Sequence, residues 1–314
     1  MPAGRKLALF GAPLRSSLAT EGTEGASAPL RSFAVTGAKI AGVDVTDEGD
    51  IPLPLPGTSD FVVAGSVPKN EGRVRESLLT VSSRIADSVR AGETPTVFGG
   101  DATVLLGLIA GLHDAGLPSP RTGLLALDGL ARFQTATGSS GELSEMVLAL
   151  ATGRGDVTLA HLARDRFPLV QETDVLLAGV RDASAEEAAS LVASRVTLFT
   201  PERLLGAGGE ALFMEALGRL ASRTRDFVLH LDVSVLDPSQ FPVAVGAPSP
   251  GGLSLVRLKT LVGELSTWIS DGTVRISGVS VTGLDARKDP GAVRMHELAG
   301  FVIRLFGGRG GGRT

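Results

Sequence analysis

A single α/β domain in three layers, with a mainly parallel central sheet covered by helices on both faces, is the architecture this sequence predicts. Two observations carry that reading. Short apolar runs of strand length alternate with longer stretches of helical spacing, the pattern of successive βαβ units. The runs are nearly continuous in apolar character, as expected of parallel strands buried on both faces.

Residues 6–10 open the series as a strand, and 61–67 form another. Residues 71–91 have helical spacing, with Val74, Leu78, Val81, Ile85 and Val89 on one stripe. A strand at 94–98 ends in Gly99-Gly100 and leads into a helix over 103–113. Residues 123–127 are a strand ending at Asp128, and 174–180 are the next. The helix at 185–193 is introduced by Ser184 with Glu187 three residues on, a capping-box pattern. A helix over 210–222 precedes the strand 227–233. The helix 254–270, the strand 274–281 and a last helix over 293–306 complete the series. The Pro- and Gly-rich stretch 51–59 reads as a loop within one domain. No internal repeat or linker interrupts residues 1–306, and the tail 307–314, GGRGGGRT, is expected to be disordered.

With 314 residues, 43% hydrophobic and 20% charged, the chain has ample material for one large core. A net charge of −4 gives no basic footprint for nucleic acid. The absence of cysteine excludes disulfides, thiolate nucleophiles and Cys-ligated zinc. No apolar run approaches the ~20 residues of a membrane span. The apolar stretch at 7–10 is shorter than a signal-peptide core of ~7–15 residues, so a cytoplasmic location is expected.

In sheets of this type, ligands collect at the carboxyl ends of the strands. Just beyond those ends stand Gly99-Gly100-Asp101-Ala102-Thr103 and Asp128-Gly129-Leu130-Ala131-Arg132, and within the strand 227–233 and past it comes His230-Leu231-Asp232-Val233-Ser234-Val235-Leu236-Asp237-Pro238. Phe241-Pro242, Gly246 and Gly251-Gly252-Leu253-Ser254 follow. In their order and spacing these segments resemble the ureohydrolases: arginase, agmatinase and formiminoglutamase. That family has strands ending in Gly-Gly-Asp-His-Ser, Asp-Ala-His-x-Asp and Ser-x-Asp-x-Asp-x-x-Asp-Pro, then a proline-bearing loop and a Gly-Gly-Leu helix start. Gly11-Ala12-Pro13, Asp47-Glu48-Gly49-Asp50, Ser140-Gly141-Glu142-Leu143-Ser144 and Ala178-Gly179-Val180-Arg181-Asp182 extend the resemblance over nearly the whole chain.

The resemblance implies six side chains around two manganese ions. Carried over residue by residue, those positions are Ala102, Asp128, Leu130, Arg132, Asp232 and Ser234. Two carboxylates remain. Leu130 has no lone pair, and Arg132 puts a permanent cation where an aspartate is implied. Hard divalent ions need several oxygen or imidazole ligands each. The expectation is therefore no cofactor, with at most one weakly bound ion. Around the substrate, Ser144 falls where the resemblance implies a catalytic histidine. Ser280 falls where it implies the glutamate that receives a guanidinium group, with Thr282 at a neighbouring asparagine position. Ser140, Glu142, Ser144 and Ser280 are the candidate ligand contacts, and no residue is assigned a catalytic role.

Each candidate also has a structural reading. Asp101 suits capping of the following helix, and Asp237-Pro238 suits a turn start. Asp128 and Asp232 are either a residual single-ion site or a buried carboxylate pair neutralised by Arg132. The second is favoured, because like charges in a buried site need a counter-ion. His230 shares a strand face with Asp232 and Ser234 but lies ~7 Å deeper, at ~3.3 Å per residue, where a satisfied core histidine is expected. His113, His161 and His296 read as surface or packing residues.

Function follows as an expectation from these departures: an arginase-fold protein without ureohydrolase activity, either a pseudoenzyme or a non-catalytic subunit. The alternative is a divergent hydrolase of linear amidines or guanidino compounds using one metal or none. A binding module for an anion contacting Arg132 is a third reading. The resemblance implies a homo-oligomer, trimer or hexamer, or a heteromer with an active paralogue. Neither nucleic acid nor membrane is expected as a partner.

Overall fold

The computed structural model describes residues 6–54, 70–116, 121–135, 140–155, 157–163, 166–246 and 248–307. The strand expected at 61–67 and the tail 308–314 lie outside them. Among the described residues, eight parallel strands form one sheet in the order β2-β1-β3-β8-β7-β4-β5-β6. In chain order the main elements are β1 (Leu7–Gly11), α1 (Ser27–Ala41), β2 (Val45–Asp50), α2 (Glu71–Arg90), β3 (Thr94–Phe98), α3 (Val104–Asp114) and β4 (Gly123–Leu127). Then come α4 (Val147–Ala151), α5 (Val157–Ala160), β5 (Val175–Ala178), α6 (Ala185–Ala193), β6 (Thr197–Phe199), α7 (Pro201–Leu205), α8 (Gly209–Arg223) and β7 (Asp226–Asp232). The series closes with α9 (Leu255–Ser270), β8 (Arg275–Thr282) and α10 (Val293–Arg304).

Alternation along each strand divides the core in two. Leu7 and Leu9, Leu125 and Leu127, and Leu229 and Leu231 face the layer built on α1, α8, α9 and α10. Ala8 and Phe10, Leu124 and Ala126, and Val228 face α2, α3 and α4. Every side chain of β1, β3, β4, β5 and β7 is buried, which matches the continuous apolar runs. The α2 stripe packs as its spacing predicts, with Val74, Leu78, Val81 and Ile85 buried. Ser184 and Glu187 form the expected capping box at α6. Ser254 caps α9 and so stands outside it.

Several elements lie beyond the sequence reading: the short helices α4, α5 and α7, and the elements α1, β2 and β6. α1 was not anticipated, because its buried stripe, Leu30, Ala34 and Ala38, is made mostly of small residues. β2 is an edge strand of mixed polarity, VTDEGD, whose side chains are half-buried or exposed. Its Asp47 and Asp50 are both ion-paired to Arg31. β6 is only three residues long at the opposite edge. No helix among the described residues is long and apolar enough to cross a membrane.

Candidate functional site

β4 and β7 lie side by side with Leu127 opposite Leu231. Asp128, just beyond β4, and Asp232, the last residue of β7, therefore leave the sheet together at its carboxyl edge. Both are buried. Hydrogen bonds fix one oxygen of Asp128 and both oxygens of Asp232. Asp128 Oδ1 accepts from the Leu130 amide at 2.9 Å and the Ser234 hydroxyl at 2.7 Å. Asp232 Oδ1 accepts from the Ser234 amide at 3.0 Å, and its Oδ2 accepts from the Thr282 hydroxyl at 3.0 Å. Gly283 lets the chain pass close to this carboxylate: its φ is +77°, and a Cβ there would lie 2.5 Å from Asp232 Oδ1.

After Asp128 the loop turns back on itself. Arg132 has φ +53°, a left-handed conformation uncommon outside glycine, and its carbonyl accepts from the Leu148 and Ala149 amides. The turn carries the guanidinium over both carboxylates. Its Nε donates to Asp128 Oδ2 at 2.9 Å, and Nη2 lies 3.2 Å from Asp232 Oδ2. Nη1 donates to the Ser144 carbonyl at 3.1 Å. The planar fork with its permanent charge thus serves two acids and a backbone oxygen at once.

Two residues inward along β7, on the face of Asp232, is His230. It sits opposite Ser280 of β8 in the register of the two strands. Its Nδ1 is 2.8 Å from Ser280 Oγ, whereas Nε2 is buried, has no hydrogen-bond partner and lies 3.9 Å from Asp128 Oδ2. Burial lowers the imidazole pKa to about 4, with the Arg132 charge acting in the same direction against Asp232, so the ring is neutral near pH 7. Burial also pushes Asp128 up to about 6, with Arg132 opposing and Asp232 reinforcing. For Asp232, burial is outweighed by the Arg132 charge together with His230 and Ser234, and the carboxyl is held below its usual range. Burial disfavours the Arg132 charge, but Asp128 and Asp232 outweigh it and the guanidinium is held charged.

The expectation of no cofactor is corrected by this geometry. Asp128, His230 and Asp232 bring ligand atoms within 4.8 Å of one another, a group able to hold a metal ion. The sequence reading set His230 aside because its Cα lies deeper in the sheet. The imidazole is long enough to reach back toward the edge, and only one of its nitrogens is satisfied there.

The remaining candidates are placed as follows. Ala102 is buried in the apolar layer with α3 and carries no donor atom. Leu130 contributes only its amide, and Ser234 bridges the two acids. Ser144 is buried and meets Arg132 through its carbonyl, and Ser280 meets His230. Ser140 is exposed and donates to Glu145 Oε2 at 2.6 Å, while the Glu142 amide donates to Ser140. Asp101 accepts from the Thr103 amide and hydroxyl and from Ser16 and Thr20, tying the start of α3 to the loop after β1. Asp237 organises a turn through Ser239 and Gly251. The residue that sequence reasoning weighed and read as a core histidine is His230, and its register partner Ser280 is the signal that bears on it.

A family model described as the arginase family matches residues 5–300. The chain is similar to the arginase of Brevibacillus brevis, 28% identical over 254 residues, which are 80% of this chain and 82% of that protein. It is similar to arginase-1 of Homo sapiens, 27% identical over 259 residues, 80% of this chain and 77% of that protein. Among solved structures, the native arginase of Bacillus caldovelox superposes with a TM-score of 0.86 at 22% identity, covering 96% of this chain and 98% of that one. The formimidoylglutamase of Bacillus subtilis superposes with a TM-score of 0.74 at 17% identity, covering 97% and 87%.

Proposed function

The chain belongs to the arginase family, and from that premise we propose that it is a member without ureohydrolase activity, a pseudoenzyme or non-catalytic subunit. One observation carries the reading: the guanidinium of Arg132 is bonded to Asp128 and Asp232, at a position where the resemblance implies a metal-binding aspartate. An internal cation there opposes the binding of a pair of divalent ions and engages the two carboxylates that would hold them. Ala102 and Leu130 have no atoms to replace the missing donors. The two-ion arrangement is therefore not matched by these residues.

The surrounding chemistry supports the same reading. Ser144, in place of the implied catalytic histidine, offers no proton carrier with a pKa near neutrality. Ser280, in place of the implied glutamate, offers no charge to a guanidinium substrate and is engaged with His230. The direct test is urea release from L-arginine and agmatine by purified protein supplied with manganese, beside an active arginase. No release above the blank is expected, and manganese-dependent turnover would overturn the proposal.

The second reading is a divergent hydrolase of an amidine or guanidino compound using one ion. It is favoured by a specific observation, the convergence of Asp128, His230 and Asp232. These three would hold the ion, which when bound supplies Lewis acidity. Ammonia release across a panel of linear amidines separates this reading from the first. The association expected from the resemblance, as a homo-oligomer or with an active paralogue, remains part of the proposal. Sedimentation of the purified chain, alone and mixed with that paralogue, tests it.

A further inference from the structure

We propose that Asp128, His230 and Asp232 form a site for one divalent ion of the zinc or cobalt class, and that this ion and the Arg132 guanidinium are alternative occupants of it. The inference does not depend on the lack of ureohydrolase activity, because it concerns binding and not turnover.

The argument begins with the unpaired nitrogen. Buried polar atoms in folded proteins are nearly always bonded, so an exception calls for a physical cause. His230 Nε2 is such an atom, and it faces Asp128 Oδ2 at 3.9 Å. Its partner nitrogen Nδ1 is 2.8 Å from Ser280 Oγ. With the Nδ1 proton donated to that hydroxyl, Nε2 carries its lone pair toward the two carboxylates. Metal-bound histidines are held in the same way, their second nitrogen bonded to a neighbouring acceptor.

The carboxylates are prepared comparably. Asp128 Oδ1 is committed to Leu130 and Ser234, and Asp232 Oδ1 to the Ser234 amide. The Oδ2 atoms of both acids meet Arg132. Ligand atoms ~2.1 Å from a tetrahedral ion lie about 3.4 Å apart. The three donors here lie within 4.8 Å of one another, and His230 Nε2 is 3.9 Å from Asp128 Oδ2, somewhat wider than an ion needs. Contraction of that pair by about half an ångström brings it to the spacing of ligands around one ion.

Charge makes the two occupants exclusive. Two carboxylates balance one divalent ion, and a guanidinium beside that ion would leave a buried net positive charge. Arg132 is the member able to leave. Its side chain is 9% exposed, against 1% for either acid, so it lies on the solvent side of the cluster. One imidazole and two carboxylates suit zinc or cobalt. Calcium takes six or more oxygens, and magnesium near-ideal octahedral geometry.

The test measures Zn²⁺ and Co²⁺ binding by calorimetry and by the visible Co²⁺ spectrum. The proteins are the wild type, Arg132→Met, His230→Ala and the double variant, with thermal melting alongside. Arg132→Met is expected to bind Zn²⁺ at least tenfold more tightly than the wild type and to gain thermal stability from it. His230→Ala is expected to abolish that gain in the double variant and to remove Co²⁺ binding from the wild type at millimolar metal. If Arg132→Met folds only with Zn²⁺ present, that supports exchange. If it folds under neither condition, the wild-type and His230→Ala comparison decides alone. Equal affinity in the wild type and Arg132→Met, undiminished binding after His230→Ala, or no binding by any of them would overturn the proposal.

Discussion

The two ends of one strand, β7, solve the same problem in different ways. At its amino end Asp226 is buried and paired with Arg275, whose side chain is 35% exposed, and it also accepts from Ser277. Nearby Asp174, also buried, is paired with Arg121 and Arg223, which are 44% and 39% exposed. At its carboxyl end Asp232 shares with Asp128 an arginine that is only 9% exposed. An arginine that reaches water ties a buried acid to the surface at little desolvation cost. An arginine enclosed with two acids and a half-satisfied histidine makes a dry cluster, whose members depend on one another.

The sharpest way to break this contrast is to remove the two cations. Arg132→Met is expected to cost about 3–5 kcal/mol in denaturant unfolding, because it strands two buried carboxylates. Arg275→Met at the other end should cost less than Arg132→Met, since it strands one carboxylate in place of two and Ser277 still donates to it. Similar losses at the two ends would remove the distinction between enclosed and surface-tied pairs.

Backbone packing offers the next test. Gly283→Ala, where the φ is +77° and the new Cβ would press on Asp232, should cost roughly 2–4 kcal/mol through strain and overlap. Gly272, just before β8 at the amino end, has φ +80° and nothing within 4 Å of a built Cβ. Gly272→Ala should lose only the conformational part, about 1–2 kcal/mol. A Gly283→Ala variant as stable as Gly272→Ala would mean that Asp232 has room to move.

Within the enclosed cluster, Asp232→Asn is expected to be more destabilising than Asp128→Asn. Arg132 holds the Asp232 carboxyl below its usual range despite burial, whereas burial leaves Asp128 raised. Paired urea titrations at pH 7 decide the order, and the reverse order would reassign the principal partner of Arg132.

The smallest expected effect is a pH dependence at the amino end. His113 Nε2 lies 2.7 Å from the Leu169 carbonyl, and burial holds its imidazole below the usual value in spite of that bond. The unfolded chain then takes up this proton first as pH falls below ~6.5, so the native state loses stability in that direction. Subtracting the pH profile of His113→Asn from that of the wild type should reveal a contribution that rises with pH through this window. A flat difference would show that His113 titrates alike in both states.

Much of this architecture was legible from apolar periodicity, because the central strands are buried on both faces and cannot be polar. The edge strand β2 was not, since half its surface meets water and it reads as VTDEGD. The placement of Asp128 and Asp232 at strand ends follows from strand-terminal position, whereas that the two ends are neighbours rested on the ordered motifs of the resemblance. His230 is different. Its reach depends on ring length, and its half-satisfied state depends on standing opposite Ser280, a pairing set by the β7–β8 register that no local pattern contains. The cofactor expectation failed there for that reason: it counted donors only at the positions the resemblance implies as ligands, and His230 stands in the same motif at another position.

The strand order also has a consequence for how the chain is made. β1, β2 and β3 form one end of the sheet and β4, β5 and β6 the other, while β7 and β8 are inserted between β4 and β3. During synthesis from the amino terminus, two separate half-sheets are complete before the strands that join them emerge. Until then β3 and β4, apolar and buried along their whole length in the finished protein, present unpaired edges of the kind that template aggregation. The long-range pairings that close the sheet are entropically slow to form. A nascent chain halted before residue 226 is thus expected to be a client for chaperones, and Asp128 meets Asp232 only in the last stage of closure.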